Sequence, residues 1–337
     1  MKNSGYEYRE QIDIRVSGLT VLAYLVRKYR HSSETVWRDR LERGQISLDG
    51  RQIQFDTVLK PGQWLLWRRP PWDEPDVPLT YSMLYEDYDL LSVAKPSGLP
   101  TLPAGGFLDH TLLTLVRKSW PEATPIHRLG RGTSGVVLFA RTARARSNIC
   151  AAWRRNEVGK IYRGLATGCP VEDNFIIEAP IGPVPHPKIG TVNAACPGGK
   201  FALSRVSVLE RRNGASLFEI GIETGRSHQI RIHLAFAGYP LVGDRLYAAG
   251  GTFNDLETLP GDTGYLLHAE RLRFTHPETG LPFEIQCPPP AELALGLSQE
   301  YPDFHPQELP VITRYINIRK SLADVNFEFR KEGKPCR

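Results

Sequence analysis

Apolar positions recur at helical spacing twice near the start of the chain. In LTVLAYLVRKYR (19–30), Leu19, Leu22, Ala23, Leu25 and Val26 fall on one side, which predicts an amphipathic helix. SSETVWRDRLERG opens on serine and closes on Gly44, so a second, capped helix is expected there. QISLDGRQI reads as a hairpin turning at Asp49-Gly50, and LKPGQWLLWRR adds a turn and a strand. These elements predict a small module over residues 10–69. Four prolines between Pro70 and Leu79 mark residues 70–80 as a semi-rigid linker.

From Tyr81 the pattern changes. Short β-branched and aromatic runs (YDLLSVAKP, GVVLFA, SLFEIGIET) alternate irregularly with helical stretches, which predicts a mixed-sheet α+β domain over 81–290. In RTARARSNICAAWRRNEVGK, Ala145, Ile149, Ala152 and Trp153 form a core-facing stripe, and Arg144, Arg146, Arg154 and Arg155 lie off it. In SHQIRIHLAFAG, read as a helix, His228, Arg231, Ile232 and Ala235 share a face. Gln229 and His233 flank that face, and Ile230, Leu234 and Ala237 point elsewhere, into a core. Polar groups so interleaved with apolar ones are costly unless each finds a partner. The stretch 291–337 is a polar extension to which no role is assigned.

The densest polar turn is PIHRLGRGTSGVVLFA, Pro125 to Ala140. It places one His, two Arg, three Gly, a Thr and a Ser immediately before a buried strand, and contains no carboxylate, Cys or Lys. Composition narrows its use. No apolar run approaches the ~20 residues of a membrane span. MKNSGYEYREQIDIRV, with three acidic residues and no apolar core, resembles neither a signal nor a transit peptide. The five cysteines are scattered and never spaced C-x-x-C, so packed, reduced thiols in a cytoplasmic protein are expected, with no metal. Net charge is only +5, but His110–Gly164 carries eleven Lys/Arg against two acids, a patch suited to phosphates. The absence of a phosphate loop, dinucleotide fingerprint or metal cluster argues against a small-molecule enzyme.

Two resemblances give these features a common reading. LERGQISLDGRQIQFDTVLKPGQWL resembles the RNA-binding module named for ribosomal protein S-four, which implies RNA contact through Arg27, Lys28, Arg30, Arg38, Arg40 and Arg43. In the second domain, YEDYDLLSVAKPSGLPTLP, HRLGRGTSGVVLFART, KIYRGLATG and ETGRSHQIRIHLAFAGYPLVGDRLYA, in that order, resemble the RluA-type family of RNA pseudouridine synthases. The resemblance implies a long mixed sheet with flanking helices. It also implies isomerisation of a flipped-out uridine to pseudouridine in rRNA or tRNA, without cofactor or metal. A monomer is favoured.

The resemblance further implies that Tyr162 stacks on the target uracil and that Arg231, or failing it Arg226, pairs with the catalytic aspartate. His127 is a supporting residue, and Arg128, Arg131, Gln229, Arg144, Arg146, Arg38 and Arg43 are expected to contact RNA. The family's aspartate, however, falls at Gly130. Loss of a covalent nucleophile typically costs on the order of a million-fold, ~8 kcal/mol. Either another group supplies the chemistry or the domain binds RNA as an inactive pseudoenzyme. Asp109, Glu223 and Asp244 are the carboxylates in or near the motifs, and Gly130→Asp is expected to raise activity.

Overall fold

The computed structural model describes residues 2–29, 31–186, 189–251 and 258–296. Arg30 and most of the C-terminal extension lie outside the described residues. The chain divides into two compact units: 1–76 with 106–110, and 77–105 with the remainder from 111.

The first unit is a four-stranded antiparallel sheet packed with two helices. Its elements are β1 (Tyr6–Gln11), α1 (Val21–Lys28), α2 (Glu34–Glu42), β2 (Ile46–Leu48), β3 (Arg51–Gln52) and β4 (Trp64–Arg69), with strand order β1-β4-β2-β3. The Thr20 and Ser33 side chains accept from the Ala23 and Val36 amides and so cap the two helices. Asp49 and Gly50 both hold positive φ, 50° and 76°, as the two-residue hairpin turn requires. Val21, Leu25, Trp37, Leu41, Ile46 and Leu65 form the core. β1 carried no sequence signal: YEYREQ is mostly exposed and has no apolar face, and only its pairing to β4 makes it a strand.

The second unit is built on a ten-stranded sheet. In chain order it holds β5 (Ser82–Glu86), β6 (Leu90–Lys95), α3 (Leu112–Arg117), β7 (Thr124–Pro125), β8 (Ser134–Ala140), α4 (Ala143–Arg154), β9 (Gly159–Thr167) and β10 (Asn174–Glu178). It continues with β11 (Ile181–His186), β12 (Gly190–Ala195), β13 (Leu203–Arg212), β14 (Ala215–Ile222), α5 (Gln229–Phe236), β15 (Leu267–Thr275) and β16 (Pro282–Gln286). The sheet runs β10-β13-β14-β9-β15-β8-β6-β5, with β7 on β8 and β16 on β15, and β11 and β12 pair separately. This is the expected mixed α+β architecture, and its strand pairs are antiparallel except for β8 and β15, which are parallel.

Alternation along β8 explains why its apolar run is continuous. Val136, Leu138 and Ala140 pack with Ala145 and Ile149 of α4, while Val137 and Phe139 pack with Leu112 and Val116 of α3. A strand covered on both faces needs apolar residues at every position. The stripe read in α4 is the one buried, with Ala152 and Trp153 at its edge.

The parallel pair leaves no room for a side chain at Gly135. Its φ is +111°, and a Cβ there would lie 2.1 Å from the Ala269 carbonyl oxygen across the ladder. Gly135→Ala is therefore expected to destabilise the protein by more than about 4 kcal/mol. Urea denaturation would check this, since an unchanged midpoint is incompatible with the contact.

Candidate active site

The turn 127–133 leads into β8, and the segment 95–101 holds it in place. The Lys95 ammonium, at the end of β6 and almost wholly buried, donates to the carbonyls of Pro96 (2.8 Å), Leu99 (2.7 Å) and Arg131 (3.1 Å). Burial pulls the Lys95 amine down from 10.5 to about 7, while three carbonyl acceptors favour its charged form. The Ser97 hydroxyl donates to the Gly132 carbonyl at 2.8 Å, and the Gly98 amide donates to that of Arg131 at 2.8 Å. Thr101 Oγ1 both donates to the Leu129 carbonyl (3.0 Å) and accepts from its amide (3.2 Å). The turn closes on itself through the Thr133 amide and the Gly130 carbonyl, 3.1 Å apart.

His127 is an anchor in this turn. Its Nε2 accepts from the Leu138 amide at 3.1 Å, and its ring stacks on Trp153 at 4.8 Å. Burial, with the nearby Lys160 charge, pushes the imidazole down to about 4, so it is neutral at pH 7. Arg128 is exposed, and the half-buried Arg131 donates from Nε to the Gly261 carbonyl at 2.9 Å.

The carboxylate that faces Arg231 is Asp244. The pair is bidentate, Nε to Oδ2 at 2.6 Å and Nη2 to Oδ1 at 2.8 Å, with side chains only 3% and 1% exposed. Asp244 Oδ1 also accepts from the Leu246 and Tyr247 amides, and Arg231 Nη1 donates to the Pro260 carbonyl. With both oxygens so occupied, Asp244 is an anchor for the guanidinium and is poorly placed to attack a substrate. Two aromatic rings flank that guanidinium: Tyr265 at 4.2 Å and Tyr247 at 5.0 Å. Tyr265 Oη lies 3.2 Å from Thr133 Oγ1, back at the polar turn.

Tyr265 occupies the volume next to Gly130. A Cβ on Gly130 would lie 2.9 Å from Tyr265 Oη, and one on Gly132 would lie 2.9 Å from two carbons of the same ring. The phenol is 5% exposed and fixed by Arg231 and Thr133. A side chain at 130 requires that phenol oxygen to shift, so Gly130→Asp introduces a carboxylate only by disturbing Tyr265. Tyr265 was not singled out in the sequence, where it reads as one more aromatic before an apolar strand.

The other expected site residues are placed as follows. Tyr162 sits in β9 between Ile220 of β14 and Ala269 of β15, half-buried, with its phenol raised to about 12 by burial. It packs against the apolar groups containing Leu129, Ala269 and Tyr265. Arg226 is exposed and donates to the Phe201 carbonyl, away from Asp244. Gln229, expected to contact RNA, is buried and committed elsewhere. Its amide nitrogen donates to the Leu203 carbonyl and Ser204 hydroxyl, and its oxygen accepts from Thr224 and the Arg226 amide. It therefore anchors α5, which is how the chain satisfies a polar residue inside an apolar helix. His233 does the same through Ser204 Oγ (2.9 Å) and the Ala179 carbonyl (3.0 Å). His228, left-handed at φ 59°, bonds Tyr247 Oη at 3.0 Å.

Arg144 is engaged with Asp89 and Glu278, while Arg146 is exposed. Arg38 and Arg43 pair with Glu34 and Asp39 of α2; Arg43 is exposed, while Arg38 is half-buried over the Phe55 ring. Asp109 accepts from the Ser4 amide, and Glu223 pairs with Arg205, so neither meets Arg231. A cavity of about 260 Å³ is lined by residues including Asn193, Ser227, His228 and Pro260. Among the described residues no His/Cys/Asp/Glu group could hold a metal, and no helix is long and apolar enough to cross a membrane.

Similarity to known proteins runs through this site. A family profile described as RNA pseudouridylate synthase matches residues 89–236. A Synechocystis protein named an uncharacterised RNA pseudouridine synthase is 41% identical over 81% of this chain and 95% of its own length. Ribosomal large subunit pseudouridine synthase D of Neisseria meningitidis is 33% identical over 81% of this chain and 75% of its own. Among solved structures, human RNA pseudouridylate synthase domain containing 1 matches at 25% identity with a TM-score of 0.52. That match covers 66% of this chain and 89% of the human one.

Two outcomes are expected. Asp244→Ala, by leaving the buried Arg231 unpaired, should cost about 3–5 kcal/mol in urea denaturation, and replacing both partners with leucine should recover part of it. His127, His228 and His233 are each pushed from 6.5 to about 4, chiefly by burial. The unfolded chain then binds more protons below pH 6.5. Stability is therefore full above that pH and falls as pH drops toward 4, by up to about 1.4 kcal/mol per unit for each histidine. Their imidazole NMR shifts should stay in the neutral form down to pH 5.

Proposed function

The chain belongs to the RluA-type family of RNA pseudouridine synthases, isomerases that act on RNA, and from that premise we propose that it converts a uridine of rRNA or tRNA to pseudouridine. The observation that carries this reading is the convergence of the motif blocks on one end of the β8/β15 pair. There the 95–101 segment, the 127–133 turn, Tyr162 and the Arg231–Asp244 pair form one connected network. Ribosomal RNA is the first substrate to test, on the similarity to synthase D. The first unit, with its half-buried Arg38 and exposed Arg43, supplies a second RNA surface of S-four type. The reaction needs no resident cofactor, and the protein works as a monomer in the cytoplasm.

In the reaction the uridine leaves its stack and enters beside Tyr162, whose phenol is un-ionised at neutral pH and offers an aromatic face for the base. Arg128 and Arg146, exposed on the same basic stretch, meet the flanking phosphates.

Pseudouridine mapping of total RNA, from cells with and without the gene, tests the proposal. At least one position should lose its modification on deletion and regain it with the wild-type gene. Tyr162→Leu should fail to restore it while weakening binding of the RNA fragment by only about tenfold, the loss of one stacked base. An identical pseudouridine map in the deleted strain removes the enzymatic reading and leaves RNA binding alone.

A further inference from the structure

We propose that Tyr265 takes the place of the missing carboxylate, its hydroxyl being the group that meets the anomeric carbon of the target ribose. This rests on the synthase reading above and assigns its reacting group. Three observations lead to it. The phenol oxygen lies 2.9 Å from where a side chain at position 130 would begin. Gly130 and Gly132 together form the slot for the ring, and a Cβ at either would collide with it. The ring is held on the buried guanidinium of Arg231, the residue that the family resemblance assigns as partner of the lost aspartate.

Gly130 itself is exposed and its φ lies outside the left-handed region, so the backbone there does not demand glycine. The phenol does. Every contact under 3.0 Å that a Cβ at 130 or 132 would make is to Tyr265, a single side chain rather than backbone. The two glycines and the tyrosine are one structural unit, and the unit ends in a nucleophile-bearing atom. Attack by a tyrosine oxygen at an anomeric carbon has precedent in the sialidases.

The step balances within the active site. The phenol oxygen forms a bond to C1′ as the C1′–N1 pair departs with the uracil, and the phenol proton passes to that nitrogen. The uracil turns, its C5 displaces the tyrosine oxygen from C1′, and the electron pair of the C1′–O bond returns to the oxygen. The C5 proton then regenerates the phenol. Uridine and pseudouridine are isomers, so nothing further is consumed.

The test uses the full-length chain and an RNA fragment bearing the uridine identified by mapping. Tyr265→Phe keeps the ring on Arg231 and loses only the hydroxyl, so its melting temperature should stay within a few degrees. Its kcat should fall on the order of a thousand-fold or more with KM unchanged. A Tyr265→Phe enzyme with wild-type kcat overturns the proposal while leaving the synthase reading intact. A wild-type enzyme that forms no pseudouridine overturns both. The reciprocal exchange tests the shared space. Gly130→Asp alone should gain no activity and should melt lower than wild type. Gly130→Asp with Tyr265→Leu should melt higher than Gly130→Asp and regain turnover over Tyr265→Leu. A double variant no more stable than Gly130→Asp alone would refute the steric coupling.

Discussion

The buried ion pair between Arg231 and Asp244 is the interaction around which the site is organised. Two charges removed from water cost several kcal/mol each unless geometry and further hydrogen bonds compensate. Here the compensation comes from four separate pieces of chain. α5 supplies the arginine, the 244–247 turn supplies the carboxylate and two amides, Pro260 supplies a carbonyl, and Tyr247 and Tyr265 cover the faces. Displacing any one of them leaves a charge or a polar atom uncompensated. The pair therefore fixes the position of Tyr265, and Tyr265 fixes what the 127–133 turn can carry.

That the turn and the tyrosine meet at all follows from strand direction. β8 and β15 are parallel neighbours, so the segments that precede them approach the sheet from the same end. An antiparallel pair would place them at opposite ends. The register, Ser134 opposite His268 and Gly135 opposite Ala269, sets Tyr265 within reach of Gly130 and Thr133. Ser134 and His268 join across this ladder at 2.9 Å, with His268 further tied to the Cys287 carbonyl, which locks the register beside the site. Gly135 permits that approach because a Cβ there would strike the Ala269 carbonyl.

Much of this was legible in the sequence because it depends on local periodicity and on contiguous motifs. The α4 stripe, the Asp49-Gly50 hairpin and the buried strand β8 each follow from a repeat of 3.6, a turn dipeptide or an unbroken apolar run. What was not legible depends on contacts distant in sequence. Gln229 reads as an available amide until four partners from 203–226 are seen to saturate it. The exposed residues of β1 acquire strand character only from β4, more than fifty positions away. Tyr265 is separated from Gly130 by 135 positions and carries no motif of its own, so no window of sequence joins them.

The glycine at 130 gains its meaning from what fills the volume beside it. A carboxylate lost by decay from an exposed turn leaves solvent behind and places no demand on its neighbours. Here the neighbour at 132 is also glycine, and the space against both is filled by one ring seated on the Arg231 guanidinium. A buried phenol hydroxyl is costly without a hydrogen-bond partner, and Thr133 supplies one. Random loss explains a missing carboxylate. It does not explain two glycines, a threonine and an arginine that together fit a single tyrosine.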